Sequence, residues 1–174
     1  YLRLIQSRYL DGIIALDNVP LGSVLTPVQQ QGIPSIAIGY HSSNLYVRTD
    51  DQGGGLQMMR HIFDLGHRHV GIISVSETLN YSINYRLLGM RAAAEAHGID
   101  YDALPRYEGD FSVASGAEAA AVLYEQHPDL TALVCLNDRM AMGAIQQLHT
   151  LGKRVPEDVS VIGYDDIPAA SNVY

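Results

Sequence analysis

The chain has 174 residues, 47% of them hydrophobic and 17% charged, a composition that builds a packed core and excludes a disordered segment. Its net charge of −8, with only 11 lysines and arginines, excludes a broad phosphate-binding surface. No apolar run reaches the length of a membrane span, and the first residues lack the charged start, apolar stretch and cleavage site of a secretory leader. Cys135 is the single cysteine; it lies in the apolar run 133–136 and reads as a small core residue, compatible with a reducing cytoplasm. Opening at Tyr1 without a methionine, the sequence reads as a fragment or a trimmed product.

In chain order, the end of a helix is expected at 1–8, a buried strand at 11–16, a helix at 21–31 stopped by Gly32, and a second strand at 33–38. Residues 39–49 carry turn residues with a short β-like stretch at 45–47 and read as a linker. The glycine run Gly53-Gly54-Gly55 reads as a flexible entry to a helix with an apolar face of Leu56, Met59, Ile62 and Phe63, ending at Gly66. There follow a strand at 70–73, a helix at 86–97 closed by Gly98, and a strand at 106–109. A helix at 115–127 is opened by a capping box, Ser115-x-x-Glu118, and stopped before Pro128. Last come a strand at 130–136, a helix at 138–151 capped by Asn137 or Asp138 and closed by Gly152, and a strand at 159–163.

Strands that alternate with helices form βαβ units and a parallel sheet, which gathers the carboxyl ends of its strands along one rim where ligands bind. Four polar clusters fall there: Ser74-Val75-Ser76-Glu77, Asp110-Phe111-Ser112, Asn137-Asp138-Arg139 and Tyr164-Asp165-Asp166. They supply carboxylates, an amide, hydroxyls and an aromatic but no evident base and nucleophile pair, which suits recognition of a polar small molecule better than chemistry on it. Two lobes are expected, 1–46 and 47–174. Two strands and two helices cannot complete the first, so further sequence or another chain is expected to cover its edge.

Ordinary structural roles compete with a functional role at each remaining motif. Adjacent Asp165 and Asp166 leave a strand in different directions, so one faces the rim while the other turns the chain. His61, His67 and His69 lack the spacing of a helical metal pair and read as surface and turn residues. The glycine run has neither G-x-G-x-x-G nor G-K-[ST], and 111–116 has no G-x-S-x-G, so nucleotide binding and a nucleophile elbow lack support. Phe111, one of only two phenylalanines, follows a strand end and is placed to lie on a ligand. Arg86, expected at a helix start beside the same rim, can donate a forked pair of hydrogen bonds.

Taken together, Asp11-Gly12-Ile13-Ile14, Ile33-Pro34, Leu65-Gly66-His67-Arg68, Arg86-x-x-Gly89, Gly109-Asp110-Phe111-Ser112, Asn137-Asp138-x-Met140-Ala141-x-Gly143-Ala144 and the stretch from Val155 to Pro168 resemble the effector-sensing core of lactose-repressor-like (LacI/GalR) regulators. The resemblance implies an α/β, two-lobed periplasmic-binding-protein-like (type I) fold, with parallel sheets flanked by helices and the first lobe incomplete. It also implies a cytoplasmic regulator, homodimeric when complete, that touches operator DNA only through a helix-turn-helix domain absent from this chain. By the same resemblance Arg86, Asn137 and Asp165 hydrogen-bond the effector and Phe111 stacks on it. Where some sugar-responsive members carry an acidic residue after the second strand, this chain has Gly39-Tyr40. A sugar or sugar derivative is the expected effector, with no cofactor, no metal and no catalysis. The alternatives are a purine-type corepressor sensor of the same family and an extracytoplasmic sugar-transport binding protein.

Overall fold

A computed structural model describes residues 9–16, 21–39, 45–76 and 81–173, with backbone alone at 21–24. The helix expected at 1–8, together with Tyr40 and Glu77, lies outside the described residues. The chain divides into two compact units: the first runs to Asp50 and also takes in Tyr81 and Ser82, and the second holds the other described residues from Asp51 onward.

In the first unit, β1 (Ile13–Leu16), β2 (Ser35–Ile38) and β3 (Leu45–Val47) form a parallel sheet in the order β1-β2-β3, with α1 (Leu21–Gln30) between the first two in sequence. Ile14 stands opposite Ile36, and Ile38 opposite Val47. The short β-like stretch expected at 45–47 within the linker is thus a third strand of this sheet, in which Val47 pairs with Ile38. Period-2 patterning is weak over three residues, so only pairing with β2 defines β3. Leu25, Val28 and Ala37 are fully buried, while Ile14, Leu16, Ile38, Leu45 and Val47 are exposed.

The second unit contains α2 (Asp51–Asp64), β4 (Val70–Val75), α3 (Tyr81–Ala96), β5 (Arg106–Gly109), α4 (Val113–Gln126), β6 (Ala132–Cys135), α5 (Asp138–Thr150) and β7 (Ser160–Ile162). Its sheet is parallel throughout, ordered β5-β4-β6-β7; Ile73 is paired with Tyr107 on one side and Cys135 on the other. The central strands are covered on both faces, which is why they read as nearly continuous apolar runs. Val70, Ile72, Ile73 and all of β6 are fully buried.

Three helix starts differ from the sequence expectation. Gly53-Gly54-Gly55 lies inside α2, which Asp51 opens. The run serves close packing rather than flexibility: a Cβ on Gly55 would lie 2.1 Å from the carbonyl oxygen of Arg86, and one on Gly89 2.0 Å from that of Gln52. Helix α3 begins at Tyr81, so Arg86 sits in its second turn and not at its start. Helix α4 begins at Val113 with Ser112 as N-cap, whose hydroxyl accepts from Ser115 N at 3.0 Å. Ser115 is thus the residue being capped, and Asn137 is the cap of α5.

Candidate functional site

Because β4 to β7 are parallel, Asp110-Phe111, Leu136-Asn137 and Tyr164-Asp165 leave their strands at the same rim of the second sheet. Arg86 reaches it from α3. Its Nε donates to Asp51 Oδ1 at 2.9 Å, and its Nη1 to the carbonyl of Leu136, just past β6, at 2.7 Å. The guanidinium lies 3.6 Å from the centroid of the Tyr164 ring, and Nη2 is 3.5 Å from Asp165 Oδ1. Asp51 and Tyr164 were not foreseen as site residues. An acid in the first turn of α2 looks like an ordinary partner of the helix dipole, and only the fold aims it at Arg86.

Asp165 has a side chain 40% exposed and stands at φ 107°, a left-handed backbone that strains any residue with a Cβ. Burial raises its carboxyl above the usual carboxylate range, Asp138 and Asp51 push it the same way, and Arg86 pulls it down. The net direction is upward, so a single guanidinium shared with Asp51 does not offset the desolvation and the neighbouring carboxylates. Asp166 follows at φ 54° and is exposed.

Asn137 is 6% exposed. Its Oδ1 accepts from Met140 N at 2.9 Å and its Nδ2 donates to the carbonyl of Phe111 at 3.2 Å. One lone pair and one N–H of the amide remain beyond those bonds. Phe111, at φ 69°, is half-buried with its ring packed against the core of the second unit. Asp138 anchors the neighbouring loop: its N–H donates to the Tyr164 carbonyl at 2.8 Å and its Oδ2 accepts from Ile167 N at 2.8 Å. Bonds from Ser112 and Ser115 hold the Asp110 carboxyl below its ordinary range.

A groove of about 590 Å³ beside this rim is lined by Gly54, Gln57, Met58, Asp138, Tyr164 and Asp165, among others. Of the four expected site residues it takes in only Asp165; Arg86, Phe111 and Asn137 stand on the rim outside it. The histidines go separate ways: His67 Nδ1 meets Thr131 Oγ1 at 2.9 Å, and His69 pairs with Asp129 at 2.6 Å. Among the described residues no group of three or more histidines, cysteines or carboxylates is placed to hold a metal. Cys135 is fully buried, and burial pushes its thiol far up.

Residues 59–174 match the periplasmic-binding-protein-like domain family. The chain belongs to this family. It is 32% identical over 176 residues to the helix-turn-helix regulator CelR of Thermobifida fusca, a match covering 97% of this chain and 51% of CelR. It is 30% identical over 175 residues to the repressor PurR of Aliivibrio fischeri, covering 96% of this chain and 51% of PurR. Among solved structures, a CelR complex with cellobiose aligns with a TM-score of 0.84 at 32% identity, covering 99% of this chain and 55% of that one. A LacI-family regulator of Enterococcus faecium with bound ribose aligns at 0.87 and 30% identity, covering 99% and 65%. The relatives are transcription regulators, and the resemblance is to the effector-binding core of the LacI family. The chain spans about half the length of the curated relatives it matches. Among the described residues no helix is long and apolar enough to cross a membrane.

Proposed function

We propose that this chain is the effector-sensing core of a bacterial LacI/GalR-type regulator, and that the rim of the second sheet binds a sugar or sugar derivative. The observation that carries this reading is the convergence of Arg86, Asn137, Phe111 and Asp165 on one sheet edge. Among the described residues, the non-glycine positions at positive φ, Phe111, Asp165 and Asp166, also stand there. Backbone strain concentrated at such an edge is retained where it places side chains for a ligand.

Arg86 donors and the Asp165 acceptor suit vicinal hydroxyls, the free valences of Asn137 suit either, and the Phe111 ring suits the apolar face of a pyranose. The cellobiose and ribose bound by two relatives support a sugar. The two compact units act as the lobes of the sensor. The complete regulator is a cytoplasmic homodimer that contacts operator DNA through a helix-turn-helix domain outside this chain, and it is not an enzyme. An effector with unequal affinity for two states of the regulator shifts operator binding by that difference.

Titration calorimetry of the full-length protein with cellobiose, ribose and purine bases tests the reading. The expected result is binding of a sugar that Asp165→Ala weakens by roughly tenfold or more, the loss of one charged hydrogen bond. Purine binding without sugar binding, or sugar binding indifferent to Arg86 and Asp165, would overturn it.

A further inference from the structure

The charge of the ligand can be read from how Arg86 is already engaged. Its Nε is bonded to a carboxylate 1% exposed, its Nη1 to a main-chain carbonyl, its face is covered by Tyr164, and its Nη2 stands near Asp165. The positive charge is neutralised before any ligand arrives. Around it the rim is acidic: among the described residues, Asp51, Asp110, Asp138, Asp165 and Asp166 stand there with two cations, Arg86 and the exposed Arg139 of α5. The sequence carries the same bias. Residues 1–50 hold three basic and three acidic residues, so the whole net charge of −8 belongs to 51–174.

An anion entering beside Arg86 would lose its hydration and meet carboxylates and a guanidinium already paired, while the exposed Arg139 offers only a solvent-screened charge. A hydroxyl needs only an oriented donor or acceptor, and Arg86, held at two nitrogens and on one face, is oriented. We propose that Asp51 turns Arg86 from an anion receptor into a fixed hydrogen-bond donor, so that the rim selects an uncharged polyhydroxy ligand and rejects its phosphorylated or carboxylated form. This rests on the sugar-sensor reading above and narrows it to one charge class. The upward direction of the Asp165 carboxyl agrees, since burial there, with Asp138 and Asp51 adding to it, disfavours negative charge by more than Arg86 favours it.

Two arms test the inference, and the first does not depend on which sugar is the effector. Inorganic phosphate is titrated into the full-length protein, its Asp51→Asn and Asp165→Asn variants, and each of these combined with Arg86→Gln, by calorimetry and thermal shift. The expected result is no Arg86-dependent phosphate binding in the parent and a gain of roughly tenfold or more on neutralising either carboxylate, lost again with Arg86→Gln. Asp165, on the exposed side, keeps this arm informative if Asp51→Asn does not fold. Arg86-dependent phosphate binding by the parent, or no gain in a folded variant, overturns the inference. The second arm compares ribose with ribose 5-phosphate and glucose with glucose 6-phosphate: neutral sugars bound at least roughly tenfold more tightly support it, and a phosphorylated partner bound as well as its neutral form overturns it. If neither sugar of any pair binds, the sugar reading fails while the phosphate arm still decides the charge class.

Discussion

Arg86 Nε donates to Asp51 Oδ1 at 2.9 Å, joining a guanidinium side chain 12% exposed to a carboxylate 1% exposed. Removing one partner of a buried pair leaves the other charge uncompensated, at about 3–5 kcal/mol. Asp51→Ala is therefore expected to lower the free energy of unfolding by about that amount in urea titrations. A loss below about 1 kcal/mol would place the pair with exposed salt bridges and remove Asp51 from the machinery around Arg86.

The crossing of α2 and α3 depends on Gly89, whose missing Cβ leaves room for the Gln52 carbonyl. Backbone cannot give way as a side-chain tip can, so Gly89→Ala must push the helices apart, at about 1–3 kcal/mol for an overpacked contact. Because Asp51 and Arg86 sit on those two helices, their hydrogen bond should loosen as well. A variant with the parent's melting temperature would contradict this.

Asn137 and Asp165 should separate in their effects. Asn137 caps α5 and holds the Phe111 carbonyl, so Asn137→Ala is expected to cost about 0.5–2 kcal/mol of stability, the range for a lost N-cap. Asp165 is 40% exposed with one long contact to Arg86, so Asp165→Asn should leave the urea midpoint nearly unchanged. Equal destabilisation by both would mean that Asp165 is structural.

Two histidines should titrate in opposite directions. His97 Nδ1 faces the Ala93 carbonyl at 2.8 Å and Nε2 faces Asp64 Oδ1 at 3.0 Å; both partners are acceptors, so the imidazolium satisfies both. The Asp64 bond is the first cause raising its pKa above 6.5, the Ala93 carbonyl adds to it, and Arg68 opposes. A group raised in the folded state contributes stability that is full below the unfolded value and is lost as pH rises through the folded one. The stability gap between the parent and His97→Gln should accordingly close on going from mildly acidic to alkaline pH. His67, lowered by burial, should stay neutral further into acid. Proton NMR titration with His97 at or below 6.5, or His67 at or above it, would refute the pair of assignments.

The two sheets should also differ in protection. In the first unit Ile14 is 70% and Leu16 59% exposed, whereas Ile72 and Val134 in the second are fully buried. Few covering contacts imply low-energy local opening. Amides of Ile14 and Ile36 are expected to exchange faster than those of Ile72 and Val134. Equally slow exchange would show that the first sheet is covered in solution.

What could be read along the chain follows from local chemistry. The runs 70–73 and 130–136 announce parallel strands because burial on both faces demands nearly unbroken apolar sequence, and Asn137 or Asp138 announces the start of α5 because a cap acts on its own next turn. The order of strands and polar clusters then places Phe111, Asn137 and Asp165 on one rim without coordinates, since parallel strands share their carboxyl ends. Tertiary structure decided the rest. Gly53-Gly54-Gly55 looks like a flexible helix entry until α3 is seen crossing it, and the β-like stretch at 45–47 looks like part of a linker until it pairs with β2. Asp51 stands 35 positions before Arg86, and Leu136 stands 50 positions after it. No local periodicity records such partners, because a hydrogen bond between distant segments is set by where packing brings their backbones, and it is these partners that determine what charge remains for a ligand.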